Sequence, residues 1–331
     1  MSTKKPIQPG LVPVREISLF AGLTPAVPIL STRAQQALLD AGQMIRETPD
    51  EAELAFLARQ LVQCTLPHTN PGNVLRWMRR NGHLSLTIQP GWDTKKDVSV
   101  GYPYGTIPRL LLFWLNKEAV QTKSRRIELG HSLAHFMRQL GLDPSRGGKR
   151  SDAQRMKDQM QRLFRARISF DSNIAVSGGE LENWMDMQVA PKGQLWWDHK
   201  QPLQDDLFES WIELGEDFFN AIISLPVPVD MRALRALKRS PLALDLYAWA
   251  THKAWSVSRK GKPQFIPWSL LALQFGSDYK DHLDFKKKAK AALKKIQVVY
   301  PDLKLSDATG GLVVLPTSRT AIALKPRTAS E

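Results

Sequence analysis

Residues 151–167 read SDAQRMKDQMQRLFRAR, and residues 281–297 read DHLDFKKKAKAALKKIQ. Both stretches place apolar residues at helical spacing and crowd lysine or arginine between them. On a wheel of about 3.6 residues per turn, Ala153, Met156, Met160, Leu163 and Phe164 share one side of the first. Ser151, Arg155, Asp158, Arg162 and Arg165 fall on the other. In the second, Phe285, Ala289, Ala292, Leu293 and Ile296 gather on one side. Lys280, Lys287 and Lys294 point away, with Lys288 and Lys295 beside them. An apolar side fixes a helix against a core, and a cationic side is left for an anionic partner. A charged face is more often merely solvated, so what precedes each helix matters.

Each basic stretch follows a short helix closed by glycine: Leu133–Leu140 before Gly141, with Ser132 as the expected cap, and Trp268–Phe275 before Gly276. Each leads into strand-forming residues, Ile168 to Phe170 in one case and Val298 to Tyr300 in the other. Helix, turn, helix, strand outlines a winged helix-turn-helix, whose second helix lies in the major groove of DNA. The expected fold class is therefore mainly α with small β-sheets (α+β), built as tandem winged helix-turn-helix domains. Lys149 and Arg150, at the end of the connector DPSRGGKR, lead a positive chain into the first groove helix. The candidate DNA-binding residues are Lys149, Arg150, Ser151, Arg155, Arg162 and Arg165, with Lys280, Lys287, Lys288, Lys294 and Lys295.

Outward from these helices, Ile107–Gln121 is a strongly apolar helix and Arg126–Leu129 a short strand. Asn173–Gln188 reads as an insertion and Leu195–Trp197 as the returning strand of a long wing. Gly215–Ser224 is a helix, and Pro226 and Pro228 mark a boundary. Ser240-Pro241 starts a helix to about Trp255, Gln264–Ile266 is a strand, and Leu303–Leu305 and Leu312–Leu315 flank a tight turn at Asp307–Gly311. Nearer the N-terminus a helix is expected over Ser31–Arg46. A second starts at the capping box Thr48-Pro49-Asp50-Glu51 and runs through Leu54, Leu57, Ala58, Leu61 and Val62. A third, Asn73–Arg80, stops at Asn81-Gly82 before the alternating strand Leu84, Leu86, Ile88. The domains are then a proline-rich flexible arm (1–30), an N-terminal helical region (31–82), winged-helix units at 83–226 and 227–324, and a tail (325–331).

Composition agrees with a nucleic-acid partner. Across 331 residues, 46 lysines and arginines outweigh 32 acids, for a net charge of +14. The pI of about 9.9 favours anionic ligands. No apolar run nears the ~20 residues of a membrane span. The opening MSTKKPIQPG lacks the apolar core of a signal peptide, and one cysteine, Cys64, cannot make an internal disulfide. The cytoplasm is the expected compartment.

At these residues the chain resembles the plasmid-encoded RepA replication initiators of Gram-negative bacteria. The resemblance is carried by YPYGTIPRLLLFWLNKEAVQTKSRRIELGHSLAHFMRQLG (102–141), GGKRSDAQRMKDQMQRLFRARISF (147–170), SWIELGEDFFNAII (210–223), PVPVDMRALRALKRSPLALDLYAWATHKAW (226–255) and GGLVVLPTS (310–318), and covers roughly 68–323. It implies a protein that binds repeated origin sites (iterons) in double-stranded plasmid DNA, helps open the adjacent duplex and recruits the host replicative helicase and initiator. It also implies a monomer–dimer equilibrium in which dimers repress the initiator's own gene. A dedicated transcriptional repressor with the same two heads is the alternative.

The residues offer little for catalysis, and no enzyme activity, cofactor or metal is expected. A nicking initiator needs a tyrosine with a His-x-His pair, and no histidines are so spaced. Tyr102 and Tyr104 read as packing. Gly147-Gly148-Lys149-Arg150 lacks the first glycine and the final Ser/Thr of a phosphate-binding loop. His131 and His135 lie four apart without the glutamate or cysteine partners of a zinc site. Cys64 sits on an apolar stripe, and most of the ten tryptophans fall in apolar runs, which suits core packing over base stacking. RNA binding fits the charge, but no RNP-like or GXXG element is present.

Overall fold

The computed structural model describes residues 33–47, 53–130, 132–145, 148, 151–177, 179–195, 210–276, 279 and 281–317. The expected arm at 1–30 and tail at 325–331 lie outside the described residues. The architecture is α+β, with helices packed among small antiparallel sheets.

The chain enters as helix α1 (Arg33–Glu47), then strand β1 (Leu54–Ala58) and the single turn α2 (Arg59–Gln63). The helix expected through Leu54, Leu57, Ala58, Leu61 and Val62 is therefore a strand at Leu54–Ala58 and a helix only at Arg59–Gln63; Thr48 to Glu51 lie outside the described residues. The segment LAFLA is too short and too apolar for periodicity to separate strand from buried helix. Partnership settles the matter, because β1 pairs antiparallel with a strand at Pro226–Asp230, Phe56 opposite Pro228 and Ala58 opposite Pro226. The sheet has only these two strands, so both are edges and proline is tolerated.

Next come β2 (Trp77–Asn81) and β3 (Leu84–Gln89). The helix expected at Asn73–Arg80 is also a strand. Asn81 pairs with Leu84 across a two-residue turn in which Gly82 has φ 61. An Asn-Gly pair that ends a helix equally well turns a hairpin. A second, shorter hairpin follows: β4 (Gly91–Asp93) and β5 (Val98–Gly101).

The middle of the chain forms α3 (Thr106–Thr122), β6 (Arg126–Glu128), α4 (Leu133–Gln139), α5 (Asp152–Arg165), β7 (Arg167–Val176) and β8 (Gly179–Gln188). Helix α3 buries Ile107, Leu110, Leu111, Phe113, Trp114 and Leu115. Ser132 makes no side-chain cap bond to α4, contrary to expectation. The other end is closed as expected: Leu142 N donates to Met137 O and Gly141 N to Arg138 O, with Gly141 at φ 71. That pair of bonds is a Schellman motif. The supposed insertion at Asn173–Gln188 is instead the end of β7 and the whole of β8, two ten-residue strands paired as a hairpin, and β7 also pairs with β3. The sheet order is β2-β3-β7-β8.

β9 (Lys192–Gln194) and β10 (Trp211–Glu213) come next, and β10 pairs with both β6 and β9. The strand that returns along Ile168–Phe170 is β8, with Ile168 opposite Met187, where Leu195–Trp197 was expected; Trp196 and Trp197 lie outside the described residues. Then follow α6 (Glu216–Ser224), β11 (Pro226–Asp230) and α7 (Met231–Leu237).

The last part is α8 (Pro241–Lys260), β12 (Gln264–Pro267), α9 (Trp268–Phe275), α10 (His282–Val299), β13 (Leu305–Ala308) and β14 (Gly311–Val314). Ser240 Oγ accepts from Ala243 N and Pro241 opens α8, as expected; the helix runs past Trp255 to Lys260. Helix α10 likewise continues through Val298 and Val299, where a strand was expected. The β-branched pair is held in a helix by its neighbours: Val299 is buried, and α1 crosses the chain at Val298. A Cβ on Gly42 of α1 would lie 2.3 Å from the Val298 carbonyl oxygen, so only glycine permits that approach. Strands β12, β14 and β13 form one sheet, with Thr309-Gly310 as the turn.

Helix α8 is apolar nearly all round, from Leu242 to Ala250, which makes it a central helix. It packs against α3, α7, β11 and α10, so one continuous core serves both halves of the chain.

Candidate nucleic-acid interface

Helix α5 is placed by its apolar side. Met156, Met160, Leu163 and Phe164 are buried, Ala153 is half-buried, and Arg155, Asp158 and Arg165 are exposed. Three details change the picture of its outer face. Ser151 is 8% exposed, and its Oγ caps the helix by accepting from Gln154 N. It therefore faces the protein and not a ligand. Arg162 is half-buried, with Nη1 donating to Tyr102 O at 3.4 Å and the guanidinium 5.4 Å from the Tyr104 ring centre. Arg165 Nη1 donates to Trp92 O at 3.0 Å. Of the arginines, Arg155 is the one that extends clear of the fold, its Nη1 3.3 Å from Asp152 Oδ1 one turn back. Lys149 and Arg150 lie outside the described residues.

Helix α10 divides as the wheel requires. Phe285, Ala289, Ala292, Leu293 and Ile296 are buried, and Lys287, Lys288, Lys294 and Lys295 are exposed. Asp281 Oδ1 caps the helix through Asp284 N at 2.8 Å. The four lysines span about 12 Å along the axis, close to the ~12 Å width of the DNA major groove. Lys290 turns to the side, bonding Asp307 Oδ2 at 2.8 Å and lying 5.8 Å from the Trp268 ring centre. Lys280 lies outside the described residues.

The helix before each basic helix is braced by polar contacts, partly buried at α4 and buried at α9. Arg235 of α7 donates to the Glu53 carboxylate at 2.9 and 3.0 Å and to Gln139 O of α4 at 2.9 Å. Lys238 Nζ donates to the Gly141 carbonyl. On the other side Arg79, on β2 and 2% exposed, donates to Gln274 O of α9, while Gln274 Nε2 donates to Val62 O.

Between the two halves lies a buried ionic junction that no local motif announces. Arg109 of α3 grips Asp245 of α8 with two bonds, Nε to Oδ1 at 2.7 Å and Nη2 to Oδ2 at 2.8 Å. Its remaining donors reach the carbonyls of Leu66, Pro67 and Gly105 at 2.6, 2.9 and 2.7 Å. His68 Nε2 lies 2.8 Å from Asp245 Oδ2. Burial opposes the Asp245 charge, but Arg109 and the His68 hydrogen bond outweigh it and hold the carboxyl well below the usual range. Burial lowers His68 from its ordinary value, against the pull of Asp245, so the ring is neutral near pH 7 and Nε2–H donates.

Tyr102 is buried, its hydroxyl donating to Val74 O. Burial pushes the Cys64 thiol up to about 12, which makes it a poor nucleophile. His135 bonds Gln139, and His131 lies outside the described residues. Among the described residues no group of three or more His, Cys, Asp or Glu side chains could hold a metal ion. No helix among them is long and apolar enough to cross a membrane.

The chain is an α+β protein that presents two basic helices of different character, one with arginine and one with lysine at its outer face. Residues 102–269 match the family described as plasmid-encoded RepA protein. The chain belongs to the plasmid-encoded RepA family. The match runs from Tyr102 before α3 to the start of α9; α10 lies beyond it. No curated protein sequence matches the chain. Among solved structures it is similar to a selenomethionine crystal structure of domains 2 and 3 of RctB, at a TM-score of 0.49 and 10% identity, covering 76% of this chain and 95% of that one. A second crystal structure of RctB domains 2–3 aligns at a TM-score of 0.45 and 10% identity, covering 77% and 94%.

Proposed function

We propose that this protein initiates plasmid replication by binding repeated origin sites through two winged helix-turn-helix units in one chain. The observation that carries the reading is the matched pair of helices α5 and α10. Each is buried along its apolar side, presents a polar or cationic side to solvent, and follows a short helix that ends at a glycine. The units correspond to the expected 83–226 and 227–324, with β2 (Trp77–Asn81) joined to the first through β3 and β11 (Pro226–Asp230) lying across the boundary. In the second, α8, β12, α9, α10 and the β13–β14 hairpin follow the winged-helix order, with the hairpin as wing. In the first, α3, β6, α4, α5 and the longer β7–β8 hairpin play the same parts, although β6 pairs with β10 instead of the hairpin.

In this reading α5 supplies base recognition, through Arg155, because arginine can pair bidentately with guanine. Helix α10 supplies phosphate anchoring, because lysine acts as a point charge. The protein works by binding, not by catalysis, and in the cytoplasm, where the plasmid is. Recruitment of the host helicase and initiator, and a dimer that represses the protein's own gene, follow from the RepA family resemblance.

The test is replicative. The gene, placed with its adjacent repeated DNA on a plasmid lacking any other origin, is expected to maintain that plasmid through many generations. Loss of the plasmid from cells that hold folded, DNA-binding protein would favour a repressor without initiator activity.

A further inference from the structure

We infer that the β4–β5 hairpin is a phosphate clamp that flanks α5 on duplex DNA, with Lys95 and Lys96 as its contacts. The inference rests on the DNA-binding reading above and adds an element outside both helix-turn-helix units' groove helices.

The hairpin tip is ordered before any ligand arrives. Asp93 Oδ1 accepts from Lys95 N at 3.1 Å and from Lys96 N at 3.3 Å. Trp92 Nε1 donates to Asp97 Oδ1 at 3.0 Å, and Asp97 holds the left-handed conformation at φ 54. Both lysines project from this turn into solvent. Lys96 is 77% exposed at its side chain, with Nζ 3.8 Å from the Asp93 carboxylate. Asp93 and Asp97 each commit Oδ1 to the turn itself, so the acids order the loop that carries the cations.

The base of the hairpin is fixed to the last turn of α5. A Cβ on Gly91 would come 2.4 Å from Arg165 Cβ and 2.6 Å from its carbonyl oxygen, so glycine allows the two backbones to touch. Arg165 and Arg162 donate to the carbonyls at either foot, Trp92 O and Tyr102 O. Two arginines of α5 are thereby committed to holding the hairpin. Arg155 is shared with Asp152, and Asp158 adds a negative charge to the same face. The outer face of the groove helix is left with a cation shared with an acid, and the hairpin adds the exposed Lys95 and Lys96, the latter 77% exposed although near Asp93.

The placement suits a backbone contact. From Arg155 to Arg165 is ten residues, about 15 Å along the helix. The major groove is only ~12 Å wide. With Arg155 at the bases, an element anchored at Arg165 stands beyond the groove edge, where the phosphates run.

The experiment measures binding of the full chain to a random-sequence duplex of ~30 base pairs, long enough for two helical turns, across a series of salt concentrations. Each phosphate contact contributes about 0.9 to the log–log slope. The Lys95→Ala, Lys96→Ala double variant is expected to flatten the slope by about 1.8, with an unchanged melting temperature. The Lys95→Arg, Lys96→Arg variant is expected to keep the wild-type slope. A wild-type slope in the alanine variant overturns the clamp while leaving the DNA-binding reading intact. Absence of salt-dependent binding by the wild-type protein overturns both.

Discussion

An Asp245→Ala protein is expected to lose about 3–5 kcal/mol of folding stability, the usual consequence of leaving a buried ion without its partner. The residue removed is small, but what it leaves is not. The Arg109 guanidinium, 4% exposed at its side chain, would keep its carbonyl acceptors and lose both bonds to a carboxylate. His68 would lose the acceptor of its Nε2–H. Because Arg109 lies on α3 and Asp245 on α8, the damage falls on the junction that sets one basic helix relative to the other. Urea unfolding of the variant against the wild type measures the effect, and a loss below about 1 kcal/mol would contradict the role given to the junction. A double replacement, Arg109→Met with Asp245→Leu, removes both charges and is expected to recover part of the loss, since apolar side chains of similar volume often substitute for a buried pair.

The same junction makes stability depend on pH in one direction. His68 is lowered in the fold, so as pH falls through its ordinary value of about 6.5 the unfolded chain takes up a proton that the folded chain refuses. Stability therefore declines on acidification. Asp245 is also lowered, so its contribution is fully present above about pH 3.9 and is lost as pH falls toward its folded value. Both groups act with the same sign.

The second large effect concerns α10. Replacing Lys287, Lys288, Lys294 and Lys295 together with alanine is expected to reduce the salt slope of DNA binding by about 3.6, four contacts at about 0.9 each. The loss should be equal on a duplex carrying the plasmid's repeats and on a random duplex, because phosphates are the same on both. All four side chains are exposed, and alanine is a good helix former, so the fold should persist. Arg155→Ala is expected to behave in the opposite way. It should weaken binding to the repeats by about 1–3 kcal/mol and hardly change binding to random DNA. If Arg155→Ala weakened both duplexes equally, or the lysine set affected only the repeats, the division of labour between the helices would be wrong.

The two basic helices could be read from the chain alone because their information is local. A stripe of five apolar residues and the glycine stop of the preceding short helix are both written within about twenty-five positions, whereas the expected cap Ser132 makes no cap bond. What escaped is non-local. Leu54–Ala58 became a strand because Pro226–Asp230 lies beside it, and nothing within the segment names that partner. Asn81-Gly82 carries one signal for two outcomes, helix stop or hairpin turn, and β3 decides between them. Val298 and Val299 have strand propensity but continue a helix that is packed against α1. Arg109 and Asp245 are 136 residues apart, each looking like an isolated charge in an apolar helix. That pattern is itself a clue, since a charge inside an otherwise buried stripe needs a partner somewhere. The wheel finds the buried side of α5 but not its free surface, because Ser151 is buried as the cap and Arg162 and Arg165 bond segments sixty to seventy residues earlier in the chain.

In the proposed binding mode α5 and α10 enter successive major grooves of one duplex. Hydroxyl-radical footprinting of the wild-type protein on the repeated non-coding DNA of its own plasmid tests this most directly. The account predicts paired protections on one face of each repeat, about one helical turn or 10 base pairs apart, with Lys287→Ala, Lys288→Ala, Lys294→Ala, Lys295→Ala erasing one member of each pair. A single protected block per repeat, or two blocks on opposite faces of the helix, would contradict it.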